Sequence, residues 1–393
     1  MDKKDDVTVI KGETQINNRI EEYRSIYGDW PECLGVLDEL RALCKSPADE
    51  IFIYAYMALA FCYSKWLIRE AQKNDVKRLY FVARDGWRWK NIASAICEKT
   101  GLNVECRYLR LSRYALNEAL SDEDVRERFK TYLLQEGLAD GVPYALADSG
   151  WIGTLQRSFM KCAGGQIRDA FFGGFYFGLY EIPSKAEKSG YNTFYFAQYK
   201  DENRKKCFNN NLFELFSAES VGQTVGYERQ ADGKVYPVIS EAGNPNSSIA
   251  ADWDNLTSRF AEKMIEIGAM DEVEQNLLLS AKAFNMLCSE PVPCEVENFG
   301  DMLFCHNEGK SELRPLAEYM TLSELKGYHV ISKFMEKSGI GKENRVSAWP
   351  EGSAVRVYMT GELSKDGLIK ELRAIRRYKF VSAYIKRFRK SHT

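Results

Sequence analysis

The feature of this sequence that most constrains its fold is the alternation of short apolar runs with helical segments between Leu79 and Leu179. Four runs have the length of buried strands: 79–83, 104–111, 144–147 and 171–179. Three segments between them have the apolar spacing of amphipathic helices: 87–98, 122–135 (with Ser121 as its expected N-cap) and 151–162. Strands that alternate with helices through short connections predict parallel pairing. We therefore expect an α/β, Rossmann-like fold with a mostly parallel sheet flanked by helices.

The rest of the chain has a different pattern on each side of this stretch. Residues 1–45 are expected to form an N-terminal helical extension, 46–240 the α/β core that holds the ligand, and 249–393 a mainly helical C-terminal region with a basic tail. Within the core, three further elements are expected: a strand at 193–198, a helix at 211–218, and a hairpin of 225–230 with 235–239. Residues 241–248 (EAGNPNSS) have the composition of a linker.

One apolar segment raises the question of a membrane helix. Residues 51–63 carry no charge, but Lys65 interrupts the apolar pattern before the roughly 18–20 residues that a membrane span needs. Ser46, Pro47 and Asp49 form the start signal of a helix in a soluble protein. We expect a buried helix, and, because no signal peptide is recognised at the N-terminus, a cytoplasmic protein.

Composition excludes several classes of site. The ten cysteines form no CxxC pair, and only three histidines are present. This composition argues against a zinc site, a disulfide framework and a Ser-His-Asp triad. The 54 basic and 56 acidic residues give a net charge of −2, which argues against a nucleic-acid partner.

Two unusual turns follow expected strands. Arg84-Asp85-Gly86 follows the first strand and Asp148-Ser149-Gly150 follows the third. In parallel sheets, ligands bind beyond the carboxyl ends of the strands, which is where both turns are expected. Residues 148–154 (DSGWIGT) are expected to be a turn that opens a helix and presents N–H groups to a phosphate. The local alternative is a helix that Asp148 or Ser149 caps.

Charged side chains at these ends favour an anionic ligand. Arg84 can bind a phosphate while Asp85 faces sugar hydroxyls or a developing positive charge, and Ser112 and Arg113 add a cation after the second strand. The alternative for Arg84 and Asp85 is a local salt bridge. Glu214, an acid inside an apolar helix, is either a charge on the helix face or a catalytic group.

The order of these turns resembles one known family, the glycan-directed phosphoribosyltransferase domain of bacterial ribofuranosyltransferases of O-antigen and capsule assembly. The resemblance rests on six stretches: 80–86 (YFVARDG), 108–115 (YLRLSRYA), 148–154 (DSGWIGT), 175–179 (FYFGL), 213–218 (FELFSA) and 349–353 (WPEGS). Such domains are often labelled haloacid-dehalogenase-like hydrolases because many are fused to a phosphatase domain. The DxDx[TV] motif of that phosphatase does not occur before Ser46, so this chain looks like the transferase domain alone, with any phosphatase supplied by a separate protein.

The resemblance implies a reaction and a set of roles. The donor would be phosphoribosyl pyrophosphate with Mg²⁺, and the acceptor a hydroxyl of a lipid-linked glycan. Asp85, Asp148 and Glu214 would be catalytic, with Asp148 on the ribose or the metal. Donor and phosphate contacts would come from the remaining site residues: Arg84, Gly86, Ser112, Arg113, Ser149, Gly150, Gly153 and Thr154.

Other functions fit the same residues. A nucleotide-sugar-dependent glycosyltransferase would bind its donor at the same strand ends. A non-catalytic scaffold of polysaccharide assembly would use the tail from Lys365 to Lys390, whose ten basic residues suit either anionic lipid or solvent. A phosphatase is the remotest alternative.

Overall fold

The chain begins with helices up to Lys73, and they include one long buried segment. The structure is a computed structural model that describes residues 3–182, 190–268, 273–305, 313–337 and 346–389. Its first helices are α1 (Lys3–Ile26), α2 (Pro31–Arg41), α3 (Pro47–Phe52) and, after one π-helical turn (Ile53–Met57), α4 (Ala58–Lys73). The helical segment from Pro47 to Lys73 begins at a capping box between Ser46 and Asp49, as the sequence predicts.

This segment is long and apolar enough to cross a membrane, but it lies inside the protein. Of its most apolar window, 94% is buried, and every residue from 51 to 68 is buried. It packs against the helices Gly86–Thr100, Ser247–Glu266 and Val273–Ser289. The prediction of a buried helix is confirmed, since other elements of the same chain cover it.

A sheet of five parallel strands forms the centre of the fold. The strands are β1 (Arg78–Val82), β2 (Glu105–Leu109), β3 (Tyr144–Trp151), β4 (Phe171–Leu179) and β5 (Tyr191–Phe196), in the order β2-β1-β3-β4-β5. The helices that follow the strands are α5 (Gly86–Thr100), α6 (Arg113–Ser121), α7 (Glu123–Gln135), α8 (Thr154–Cys162) and α9 (Gly165–Asp169). The predicted α/β, Rossmann-like fold is therefore confirmed.

Side chains of each strand alternate between two apolar cores. Leu79 and Phe81 of β1 belong to a large core that includes α4, whereas Tyr80 and Val82 belong to a smaller core with α6, α7 and α8. The large core continues into both ends of the chain. Arg19 Nε, for example, donates to Glu295 Oε1 across 2.8 Å in the protein interior.

The remaining elements follow the sheet in the chain. They are α10 (Glu202–Lys205), α11 (Asn210–Ser217), the antiparallel hairpin of β6 (Thr224–Arg229) and β7 (Val235–Ile239), α12 (Ser247–Glu266), α13 (Val273–Ser289), α14 (Pro293–Phe299), the hairpin of β8 (Leu303–Cys305) and β9 (Leu313–Pro315), α15 (Leu322–Leu325), α16 (Val330–Lys337), α17 (Pro350–Met359) and α18 (Lys365–Arg389). The C-terminal part is thus mainly helical, as predicted. The three-part division of the chain stays a prediction, and Lys390 lies outside the described residues.

Two expectations about local structure are wrong. Ser121 is expected to cap the helix at 122–135, but it is the last residue of α6, and Asp122 caps α7 instead through its Oδ1, which accepts from Val125 N at 3.0 Å. The helix expected from Trp151 begins only at Thr154, because β3 continues through Asp148, Ser149 and Gly150 to Trp151. Neither Asp148 nor Ser149 is therefore a helix cap.

Candidate functional site

The turn after β1 carries Arg84 and Asp85, and Gly86 holds it against the strand. A Cβ on Gly86 would lie 2.8 Å from the carbonyl carbon of Phe81, so only glycine allows α5 to begin this close to β1. The Ala83–Arg84 peptide bond is cis. Asp85 occupies the N-cap position of α5, yet its Oδ2 accepts a hydrogen bond from Ser149 Oγ at 2.7 Å. Asp85 is thereby tied to β3.

The end of β3 stands beside that turn because β3 is longer than β1. Pairing with β1 ends at Ala147, whereas pairing with β4 continues to Trp151. Gly150 has φ +105°, and a Cβ there would lie 2.5 Å from the Gly178 oxygen, so this position requires glycine. Asp148, Ser149 and Gly150 are thus presented along an extended strand rather than in the turn that the sequence analysis expects.

A cavity of about 140 Å³ lies between the ends of β1 and β3. The strand order reverses between these two strands, and such a switch point is the usual ligand site of an open α/β sheet. Nine of the residues singled out from the sequence line it: Arg84, Asp85, Ser112, Arg113, Asp148, Ser149, Gly150, Thr154 and Glu214. Gly86 and Gly153 are not among its lining residues. Gly153 instead has φ +60° at the turn into α8, and Gly86 packs on β1.

Glu214 reaches this pocket from α11. Asn209 caps this helix by accepting from Leu212 N at 3.0 Å. A buried network fixes the end of the helix, since the hydroxyls of Tyr56 and Ser217 lie 2.7 Å apart. Glu214 Oε1 accepts from the indole N–H of Trp151, the last residue of β3. The structure therefore places Glu214 on the pocket wall, and not on a solvated helix face.

The three carboxyl groups of the pocket share one electrostatic environment. Burial raises the pKa of the Asp85 carboxyl. The hydrogen bond from Ser149 and the positive charges of Arg84 and Arg113 offset part of this rise. Burial, followed by the charge of Asp85, raises the pKa of Asp148 to about 7. The same two causes raise the pKa of Glu214 to about 8. Asp148 and Glu214 can therefore each hold a proton near neutral pH, which is a property of many catalytic groups.

The two arginines of the pocket sit at different depths. Arg84 is half-buried, and among the described residues its guanidinium has no hydrogen-bond or ion-pair partner. Arg113 is exposed at the first residue of α6. Both guanidiniums are close enough to Asp85 to lower the pKa of its carboxyl. Arg84 in particular is available to an anionic ligand.

Ser112 lines the pocket but its hydroxyl is already engaged. Ser112 Oγ donates to Thr224 O at 2.6 Å and accepts from Ala115 N at 3.1 Å, as the N-cap of α6. It thus positions Arg113 and joins α6 to the β6–β7 hairpin. Thr224 also lines the pocket, and its buried hydroxyl has no partner within the part of the chain that the structure describes.

Several pocket residues escape sequence analysis. Gln223 and Thr224 precede or begin β6, and Phe304 lies in β8, about 80 residues further along the chain. No local motif marks any of them, and only tertiary packing brings them to the pocket. Conversely, the WPEGS stretch does not line it. There Trp349 Nε1 donates to Cys288 O at 3.1 Å, and buried Glu351 pairs with Lys379 at 2.6 Å, which are contacts of the core.

The pocket residues fit a magnesium ion only in company with a ligand. No group of three or more His, Cys, Asp or Glu side chains among the described residues has the arrangement of a metal site. Mg²⁺, however, commonly uses one or two carboxylates with substrate phosphates and water. Asp85 and Asp148 provide two such carboxylates, and a cation between them would relieve the repulsion that raises the pKa of Asp148.

Comparisons with known proteins do not assign the pocket. No protein-family model matches the chain, and no curated protein matches it. Its function has to be inferred from the residues themselves.

Proposed function

We propose that this protein is a cytoplasmic glycosyltransferase. It moves ribose 5-phosphate from phosphoribosyl pyrophosphate to a hydroxyl of a lipid-linked acceptor in the synthesis of a bacterial surface polysaccharide. The observation that carries this proposal is the convergence of Arg84 and Arg113 with Asp85, Asp148 and Glu214 on the pocket at the switch point of the sheet, which we call the donor pocket. Guanidiniums suit the phosphates of such a donor, and carboxyls suit its sugar hydroxyls and reacting carbon.

The charge of the pocket favours a phosphorylated ligand at neutral pH. With all five groups ionised, the carboxylates would outnumber the arginines and repel an anion. Because the pKa of Asp148 is raised to about 7 and that of Glu214 to about 8, protons neutralise part of this negative charge. The two arginines then make the pocket attractive to phosphate oxygens.

Phosphate binding is assigned to the arginines and the start of α8. Arg84 and Arg113 would bind phosphate oxygens directly. Ser149, Gly150 and Thr154 line the same pocket, and the N-terminus of α8 begins at Thr154, where free backbone N–H groups favour an anion. Mg²⁺ held by Asp148 and Asp85 would add neutralisation of the pyrophosphate leaving group.

The reaction requires one bond to break, one to form and one proton to move. The bond from C1 of ribose to the pyrophosphate oxygen breaks, and its electron pair leaves with pyrophosphate. The acceptor oxygen forms the new bond to C1 and releases its proton to a carboxylate. Asp85 and Glu214 are the two carboxyls for these roles, one beside the cationic centre and the other as base. Removal of the 5-phosphate would need a separate phosphatase of the haloacid-dehalogenase type.

Donor binding is the first test. Phosphoribosyl pyrophosphate with Mg²⁺ should raise the melting temperature of the protein, whereas uridine or cytidine diphospho-sugars should not. Arg84→Gln should weaken donor binding about 10–100-fold, because a charge-assisted hydrogen bond contributes roughly 1.5–3 kcal/mol. Arg259→Gln, at an exposed residue of α12, is the matched control and should bind as the wild type does.

Turnover is the second test. Incubation with donor, Mg²⁺ and lipid-linked glycan from cells should release pyrophosphate, and Asp148→Asn should reduce the release at least tenfold with the fold intact. Asp169→Asn, at the exposed end of α9, is the control and should leave the rate unchanged. Stabilisation by a nucleotide sugar in place of the donor would favour the nucleotide-sugar transferase, and pyrophosphate release unchanged by Asp148→Asn would contradict the proposal.

A further inference from the structure

A second cavity, which we call the side chamber, adjoins the donor pocket. It has a volume of about 300 Å³ and shares four lining residues with the pocket: Arg84, Gln223, Phe304 and Glu214. The N-terminus of α6 lines both cavities, because Arg113 lines the donor pocket and Tyr114 lines the side chamber. A ligand in the chamber would therefore lie directly beside a donor in the pocket.

The lining of the side chamber suits an uncharged ligand. Of its described lining residues, only Arg84 and Glu214 carry charge, and both lie at the junction with the donor pocket. Apolar side chains form much of the remaining wall, including Leu303 and Leu313, which are 38% and 43% exposed. Such side chains can pack against the C–H face of a sugar ring.

Polar groups in the chamber are free to bind hydroxyls. The side chains of Tyr114, Gln223 and Ser240 have no hydrogen-bond partner among the described residues, and all three line the chamber. A phenol, an amide and a hydroxyl can both donate and accept, as the hydroxyls of a neutral sugar require. A wall that combines apolar surface with a few such groups is typical of a small-ligand site.

The segment expected to be a linker forms one wall of the chamber and is held in place. Asn244 Nδ2 donates to Glu219 O at 2.6 Å, and Glu219 N donates to Arg84 O at 3.3 Å. Asn246 Nδ2 donates to Leu303 O at 3.0 Å. Residues 242–246 are thus bonded to the turn that carries Arg84, which makes them part of the site rather than a flexible connection.

We infer that the side chamber is the acceptor subsite and that it binds an uncharged sugar residue of the glycan, an inference that rests on the proposed transferase function. Glu214 borders both spaces, so in its ionised form its carboxylate can receive the proton of an acceptor hydroxyl while Asp85 faces the ribose carbon. Specificity for the acceptor then depends on Tyr114, Gln223 and the 242–246 wall.

Saturation-transfer NMR can test the subsite with defined probes in the presence of phosphoribosyl pyrophosphate and Mg²⁺. At least one of four neutral p-nitrophenyl hexopyranosides (gluco, galacto, manno and N-acetylgluco) should bind the wild-type protein, whereas p-nitrophenyl glucuronide should not bind. Ala242→Trp fills the chamber from an exposed position and should reduce saturation of the bound hexoside at least fivefold. Tyr114→Phe should reduce it about threefold.

Ala231→Trp is the matched control, since Ala231 is equally exposed but lies at the β6–β7 turn. It should bind hexoside and donor as the wild type does, and Ala242→Trp should keep the melting-temperature shift that the donor produces. The inference is overturned if no neutral hexoside binds the wild type, if the glucuronide binds equally well, or if Ala242→Trp leaves saturation unchanged. A wild type that does not respond to the donor would contradict the proposed function instead.

Discussion

At the scale of single residues, the donor pocket depends on carboxyl groups that are costly to ionise. Asp85, Asp148 and Glu214 line one small space, and burial, followed by the charge of Asp85, raises the pKa of both Asp148 and Glu214. Both arginines lower the pKa of Asp85 and that of Glu214, but Asp85 also accepts the hydrogen bond from Ser149, and no neighbouring carboxylate is among the causes that raise its pKa. It is therefore the carboxyl best placed to remain ionised, whereas Asp148 and Glu214 titrate near neutral pH.

Glu214 should make the stability of the protein depend on pH. Its pKa in the folded protein is about 8, above the ordinary value of 4.5, so the folded state binds more protons than the unfolded state between these values. Stability should fall as pH rises through this window. Glu214→Gln remains uncharged and keeps an oxygen for Trp151 to donate to, so its melting temperature should fall less than that of the wild type between pH 5 and pH 8.5.

Differential scanning fluorimetry at several pH values would measure this effect. Glu228→Gln, at an exposed position of β6, is the control and should follow the wild-type curve. Asp148 titrates in the same range, so Glu214→Gln should remove only part of the pH dependence. A variant that is destabilised equally at every pH would show that the carboxyl of Glu214 has no raised pKa in the folded protein.

At the scale of elements, α6 is the part that joins the pocket to the β6–β7 hairpin. Ser112→Ala should lose the N-cap and the bond to Thr224 O, which together contribute about 2 kcal/mol to folding. Donor affinity should also fall several-fold, because Arg113 is the next residue. Chemical denaturation and donor titration would measure both effects.

Ser121→Ala offers the comparison within the same helix. Ser121 is exposed in the last turn of α6, and its hydroxyl bonds only to the carbonyls of Asn117 and Glu118. We expect a change within about 0.5 kcal/mol, as for most surface substitutions, and unchanged donor affinity. Equal losses in the two variants would mean that the cap and the hairpin contact contribute nothing specific.

The local sequence pattern predicts an element correctly when the element's own residues determine where it begins and ends. The strand at 171–179 has its predicted bounds, because an apolar run between turns is sufficient to define it. The continuation of β3 past Asp148 depends instead on its pairing with β4, where Gly150 meets Gly178. A sequence window around Asp148 does not contain β4, so the glycines there predict a turn.

The same distinction applies to the site. Arg84, Asp85 and Asp148 follow recognisable strands, and topology alone brings strand ends together. Gln223 and Phe304 come from hairpins whose position depends on long-range packing, and no spacing rule connects them to β1 or β3. Composition also fails to predict the ordered 242–246 wall, because Asn, Pro and Gly occur both in ordered loops and in linkers.

At the scale of the whole molecule, the C-terminal helix α18 exposes basic side chains and packs one apolar face on the protein. Its residues Leu368, Leu372 and Ile375 are buried against the protein, so this apolar face is already occupied. Lys370, Arg373 and Arg377 are exposed on the other side. We therefore propose contact with an anionic membrane by electrostatic attraction, without insertion of the described part of the helix.

Vesicle co-sedimentation should show this contact. Binding to phosphatidylglycerol vesicles at low salt should disappear at 0.5 M salt, because the Debye length then falls to about 4 Å. The triple change Lys370→Glu, Arg373→Glu and Arg377→Glu should weaken binding by about 100-fold or more, at roughly 1 kcal/mol for each basic residue. Phosphatidylcholine vesicles are the control and should not bind. Binding that persists in high salt, or in the triple variant, would contradict a purely electrostatic contact.

The buried ion pair between Arg19 and Glu295 links residues 276 positions apart in the chain. At translation rates of about 5–20 residues per second, the ribosome needs roughly 14–55 s to make the second partner after the first. During that interval, α1 can pack only against the neighbouring N-terminal elements and lacks its contacts with α13 and α14. Newly made chains should therefore depend on holdase chaperones until α14 emerges, and slower translation should lengthen that dependence.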